Sequence, residues 1–132
     1  MIGGDYLKNK YKVTSAELEV LKVVWKLEEA TFNQISQELC KKTNWKRNTI
    51  QTLISRLVNK GTLIADKVNK KSYIYYANIN EKDYKMSENL SFINRLYNGS
   101  LNLMLSTFIE DNQISNDDLT KLKDLLNSKN KG

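Results

Sequence analysis

The 132-residue sequence has no histidine, no proline and a single cysteine, and each scarcity removes a class of chemistry. Without histidine the usual general base and the commonest metal ligand are missing. The lone Cys40 can close no internal disulfide and supplies no paired thiols for zinc or redox work. It fits a reducing compartment and is expected to be a buried, small apolar residue near a helix end. None of the five glycines builds a phosphate-cradling loop. The carboxylate pairs Glu28-Glu29 and Asp117-Asp118 fall at an expected helix end and helix start, where solvated or dipole-stabilising charge is the ordinary role. No enzyme activity, cofactor or metal site is therefore expected. No run approaches the about 18–20 apolar residues of a membrane span, and Met1-Ile2-Gly3-Gly4-Asp5 lacks the apolar stretch of a signal peptide. The expectation is a cytoplasmic protein with no membrane insertion. The absence of proline leaves long helices uninterrupted.

Acidic residues are also missing from one long interval. Between Glu38 and Asp66 there is none, while Lys41, Lys42, Lys46, Arg47, Arg56 and Lys60 all fall inside it. The net charge of +6 is lopsided: residues 1–78 carry fourteen basic and seven acidic side chains, residues 79–132 seven basic and eight acidic. The whole excess sits in the front half, as a polyphosphate partner such as DNA requires.

What is present is periodicity. Residues 1–13 show none and read as an arm in which Lys8, Lys10 and Lys12 are available to phosphate, or as a solvated tail. Thr14-Ser15-Ala16-Glu17 is a capping box opening a helix with Leu18, Leu21, Val24 and Trp25 on its apolar face, ending near Lys26 to Glu28. Thr31-Phe32-Asn33-Gln34 repeats the box and starts a short helix with Ile35 and Leu39 inward, running to about Lys41. From about Lys46 to Lys60, Ile50, Leu53, Ile54, Leu57 and Val58 make a full helical stripe, and Gly61 provides a left-handed stop. The period then changes to that of a hairpin, with strands over Leu63–Val68 and Ser72–Ala77 around the turn Asn69-Lys70-Lys71. Tyr73, Tyr75 and Tyr76 are expected to pack within and across the ribbon. Beyond Glu81 all is helical: one helix with Tyr84, Met86, Leu90, Ile93, Leu96 and Tyr97, a break at Asn98-Gly99, a second with Leu101, Met104, Leu105, Phe108 and Ile109, and a third opened by Ser115 and Asp118, stapled by Ile114 and Leu119, and carrying Leu122, Leu125 and Leu126.

The fold class is thus mainly α with a small β-hairpin: a winged helix-turn-helix DNA-binding domain over 1–78 and a C-terminal α-helical dimerisation domain over 79–132. The third helix presents Asn48, Thr52, Ser55 and Asn59 opposite its apolar stripe, with Gln51 and Arg56 at the margins. Such side chains pair with base edges. Lys46 and Arg47 at its amino end suit phosphate or the first base pairs, Thr49 lies in the same first turn, and Lys70 and Lys71 would act from the wing. About fifty residues in three amphipathic helices bury too little surface alone. Leu90, Ile93, Tyr97, Leu101, Met104, Leu105, Phe108, Leu119, Leu122 and Leu126 are the expected dimer contacts; packing onto the front domain is the alternative. The function this favours is a homodimer reading a palindromic site in double-stranded DNA. A ligand-sensing winged-helix regulator and a helical protein-interaction module are the other readings.

The runs Thr14-Ser15-Ala16-Glu17-Leu18-Glu19-Val20-Leu21 through Trp25, Thr49-Ile50-Gln51-Thr52-Leu53-Ile54-Ser55-Arg56-Leu57 through Lys60-Gly61, and Phe92-Ile93-Asn94-Arg95-Leu96-Tyr97 with Gly99 resemble the penicillinase repressor family (BlaI/MecI). The likeness extends from about Val13 to Asn127. It implies a homodimeric repressor of β-lactam resistance genes on a palindromic operator, relieved by proteolysis in the dimerisation helices under a membrane-bound β-lactam sensor. The family's cleaved bond precedes a phenylalanine that follows asparagine. Its counterpart here is Thr107–Phe108, with threonine in the asparagine position. The family's reading helix usually begins Ser-Pro, and here it begins Lys46-Arg47. A related branch senses copper or zinc through cysteines in the tail, and residues 127–132 contain none.

Overall fold

The computed structural model describes residues 12–69 and 72–131. The expected basic arm, Lys12 apart, and the wing lysines Lys70 and Lys71 lie outside the described residues. The elements run α1 (Ser15–Leu27), β1 (Glu29–Ala30), α2 (Phe32–Cys40), α3 (Arg47–Asn59), β2 (Leu63–Asn69), β3 (Ser72–Ala77), α4 (Glu81–Tyr97), α5 (Leu101–Glu110) and α6 (Asn116–Lys131). This is a mainly helical chain with one small antiparallel sheet.

The first two helices start where side chains satisfy their orphan amides. The Thr14 hydroxyl accepts from the Glu17 amide at 3.2 Å and Glu17 accepts from the Thr14 amide at 3.0 Å. Thr31 and Gln34 make the same reciprocal pair at 3.2 and 2.8 Å. Each cap contributes about 1 kcal/mol. After α1 the chain turns through Glu28 at φ 71°, and Glu29 and Ala30 then lie beside Tyr76 and Tyr75. The resulting third strand, in the order β1-β3-β2, was not foreseen: two residues are too few to show alternation.

β2 and β3 pair from Leu63 with Ala77 to Asn69 with Ser72, with a register shift that leaves Val68 unpaired as a bulge. Gly61 at φ 82° stops α3, as a glycine without Cβ penalty should. The core draws Val20, Leu21 and Val24 from α1, Ile35 and Leu39 from α2, and Ile50, Ile54 and Leu57 from α3, all fully buried, and is closed by Leu63, Tyr75, Ile79 and Tyr84. Each fully buried Leu or Ile contributes about 1.5–3 kcal/mol. Glu17, almost fully buried, is met by the Lys60 ammonium, which also donates to the Lys12 carbonyl at 2.9 Å. The start of α3 is thus held by packing and its end by an ion pair to α1.

The chain divides into two compact units, the first ending at Ser87 and the second starting at Glu88. The division falls later than the expected 78/79 because the start of α4 belongs to the front core. Trp25 Nε1 donates to the Ile79 carbonyl at 3.0 Å, and the Trp25 and Tyr84 rings lie 5.7 Å apart.

In the second unit α4 ends at Asn98 (φ 51°) and Gly99 (φ 84°), with the Gly99 amide returning to the Ile93 carbonyl at 3.1 Å. Ser100 caps α5 by accepting from the Leu103 amide, and Ser115 accepts from the Asp118 amide at the start of α6. Among the described residues from Glu88 onward none is buried.

Candidate nucleic-acid interface

α3 separates into two faces. Ile50, Leu53, Ile54 and Leu57 are buried, while Asn48, Thr49, Gln51, Thr52, Ser55, Arg56 and Asn59 are exposed together. The hydrophobic stripe therefore does what its period demanded and leaves one continuous polar surface. The Thr52 hydroxyl donates to the Asn48 carbonyl at 2.9 Å, which leaves its oxygen free to accept, and the side chain also carries a methyl group. A methyl beside amide side chains suits the edges of A·T pairs.

At the amino end, Lys46 stands at the N-cap with extended backbone and no side-chain cap, so the first-turn amides of α3 have no acceptor from that residue. Arg47 follows it. Its Nη2 donates to Asn33 Oδ1 at 2.8 Å, and its guanidinium carbon lies 4.7 Å from the centre of the Phe32 ring.

The six cations of the acid-free interval divide evenly once folded. Lys41 pairs with Glu38 at 3.6 Å, Lys42 with Glu19 at 3.8 Å, and Lys60 with Glu17. An interval without acids in sequence still meets acids in space, because α1 and α2 bring them. Lys60, expected to add to the field toward phosphate, is instead half-buried and engaged. Lys46, Arg47 and Arg56 make no ion pair among the described residues, and all three lie on or beside α3. Glu38 carries a lowered pKa, first because Lys26 hydrogen-bonds it at 3.1 Å and then through the charges of Lys26 and Lys41.

Two hollows lie along the polar side of α3 and share the rings of Tyr73 and Tyr75. One, of about 390 Å³, is lined also by Thr31, Phe32, Asn33, Gln51 and Ser72; the other, of about 250 Å³, by Ile54, Ser55, Val58, Asn59 and Ala65. Tyr75 is buried as expected, but Tyr73 is 45 % exposed and Tyr76 is exposed as well. Tyr73 stacks on Tyr75 with centroids 6.3 Å apart, and both tyrosines line the two hollows beside α3. The tyrosine alternation is real, but the ribbon extends past the body that would cover it. Cys40 corrects another expectation: it is exposed, because it is the last residue of α2, one step beyond the buried Leu39.

Sequence comparison agrees with this geometry. The family model described as penicillinase repressor matches residues 13–128. The chain belongs to the penicillinase repressor family. Among its relatives, the penicillinase repressor of Bacillus licheniformis is 39% identical over 120 residues, which is 91% of this chain and 93% of that protein. The methicillin resistance regulatory protein MecI of Staphylococcus aureus is 36% identical over 119 residues, 90% of this chain and 96% of its own length. The solution structure of the DNA-binding domain of the repressor BlaI superposes with a TM-score of 0.51 at 41% identity, over 55% of this chain and 88% of that one. The front unit of this family member is therefore a winged helix.

Among the expected dimer contacts, Leu90, Leu101, Leu122 and Leu126 are exposed, and Ile93, Tyr97, Met104, Leu105, Phe108 and Leu119 are half-buried. Leu96, Leu103 and Leu125 are exposed too and had not been singled out as contacts. Thr107 and Phe108 lie inside α5, with the Thr107 carbonyl accepting from the Asp111 amide at 3.1 Å and the Phe108 carbonyl from the Gln113 amide at 2.9 Å.

Proposed function

We propose that the chain is a cytoplasmic, homodimeric, sequence-specific repressor of β-lactam resistance genes and not an enzyme. In this reading α3 lies in the major groove of each half of a palindromic operator. The observation that carries the reading is the exposed face of α3: seven neighbouring exposed positions, no carboxylate among them, and three cations at its side without an ionic partner among the described residues. An ordinary solvated helix mixes signs. The relatives named as penicillinase repressor and MecI support the gene class.

The dimer in this proposal forms through the second unit. Its support is the apolar surface left uncovered there, including a hollow of about 310 Å³ lined by Ile114, Asp118, Lys121, Leu122 and Leu125, which has the size and rim to seat side chains of a second copy. Release follows from a cut at Thr107–Phe108 by a protease under a membrane-bound β-lactam sensor. Both residues sit within hydrogen-bonded helix, so α5 must open locally before the bond fits an extended protease cleft.

Selection of bound duplexes from a random-sequence library tests the core of this. A palindrome with half-sites about 10 base pairs apart, preferred at least about a thousandfold over bulk DNA at physiological salt, is expected. A preference below about tenfold would overturn it.

A further inference from the structure

Three cations flank α3 without an ionic partner among the described residues, and of these Arg47 alone is held in place there. The side chains of Lys46 and Arg56 have no hydrogen-bonding partner among the described residues, whereas that of Arg47 is gripped by two residues of α2. Asn33 Oδ1 takes one guanidinium N–H at 2.8 Å, and the guanidinium carbon lies over the Phe32 ring, 4.7 Å from its centre. Neither partner carries charge. This contrasts with Lys41, Lys42 and Lys60, each neutralised by a carboxylate. A neutral acceptor and an aromatic face fix the geometry of a cation while leaving its full charge for an incoming anion, and four of the five guanidinium donors remain free.

From this grip we propose that Asn33 and Phe32 are positioning residues that pre-set Arg47 to bind a phosphate of the DNA backbone rather than a base. The proposal rests on the DNA-binding reading above. The choice of phosphate follows from the tether. Arg47 is the first residue of α3, but its head is drawn back to the first turn of α2, and in a helix-turn-helix the helix before the reading helix crosses the backbone while base contacts come from the reading helix itself. Immobilising a free arginine on binding normally costs entropy. Here the fold has already met that cost.

A phosphate contact is read on any sequence, so the operator need not be known. The test titrates the full chain with a fluorescein-labelled, mixed-sequence duplex of about 30 base pairs at salt concentrations from about 50 to 200 mM. Arg47→Ala is expected to weaken binding and to reduce the salt slope by about one. Asn33→Ala and Phe32→Leu, the latter keeping the apolar packing but removing the ring, are each expected to weaken binding by about two- to tenfold while slope and Tm stay as in the parent. Arg47→Lys should keep the slope and lose affinity, since the ammonium has no planar fork for this grip. Adding Asn33→Ala to Arg47→Ala should cost nothing more. If Asn33→Ala is silent, or its effect persists undiminished in the Arg47→Ala background, or Arg47→Ala leaves the slope unchanged, this inference is overturned while a binding parent leaves the proposed function standing. A parent chain that does not bind the duplex would overturn both.

Discussion

Glu17 serves two parts of the front unit at once. Its carboxylate closes the cap of α1 and receives the Lys60 ammonium from just beyond the end of α3, so one buried anion ties α1 to α3. Burial pushes its pKa up, but the Lys60 hydrogen bond, the Thr14 amide and the Lys60 charge outweigh that, and the net effect is a pKa below the ordinary 4.5. A carboxyl with a lowered folded pKa adds stability that is complete above its unfolded value and disappears as pH falls through the folded one. Replacing Lys60 with Met leaves the carboxylate buried without its cation. The expected loss is about 2–3 kcal/mol at neutral pH, less than the about 3–5 of a fully enclosed pair because Lys60 keeps some contact with water. That loss should shrink as pH falls below 4.5 and through the lowered folded pKa of the parent, beneath which Glu17 is protonated in both proteins. Urea unfolding of parent and Lys60→Met across pH 3–7 checks it, and a difference that does not vary with pH would remove the ion pair from this role. The capping role of Glu17 was legible from a spacing of three residues. Its partner, 43 residues away, was not, since nothing local marks which lysine a fold brings to a buried carboxylate. The pairing of Lys42 with Glu19 on α1 was hidden in the same way, whereas Lys41 meets Glu38 only three residues before it; Cys40 was misjudged because a single step past the last buried residue of a short helix exchanges core for solvent.

Among the elements, the helices were legible because each repeats its apolar signal over several turns. α3 has four buried positions at helical spacing, so both its packed face and its exposed polar face followed from one pattern. β1 had no such redundancy and depends on a tertiary neighbour, β3, for its existence. The joint between α4 and α5 was readable from Asn98-Gly99, since glycine tolerates the left-handed region that stops a helix. Gly99 sits at φ +84°, and a Cβ placed there would lie 3.2 Å from Asn94 Oδ1. The side-chain oxygen can move, so the backbone conformation dominates the cost. Gly99→Ala is expected to destabilise by about 1–2 kcal/mol and to increase amide exchange in the end of α4 and the start of α5, leaving exchange in α1 to α3 unchanged. Faster exchange spread evenly over the whole chain, or no change in unfolding midpoint, would mean that the joint is not a local stop.

At the scale of the molecule, the two units differ in whether they hold a core. The first encloses side chains from three helices and a sheet, while the described part of the second encloses none, with Leu125 and Leu126 67% and 63% exposed on α6. Helices of this length rarely persist in water unless an apolar face is covered. If a second copy supplies that cover, as proposed, folding of the second unit and association are one equilibrium, and its stability must depend on protein concentration. Diluting the protein about a hundredfold should then cost the dimer of second units about 2.7 kcal/mol, or about half that per chain, and lower its Tm by several degrees. The front unit, complete by itself, should melt at a temperature that does not move. Leu125→Asp together with Leu126→Asp places two charges on the uncovered face without touching the front core. The doubly substituted chain should sediment as a monomer and lose the concentration-dependent transition. It should also retain the front-unit transition and bind a half-site duplex with the affinity of one reading helix. A parent that is monomeric throughout, with both transitions insensitive to dilution, would show that the apolar faces are covered within one chain, and the palindrome would lose its structural basis.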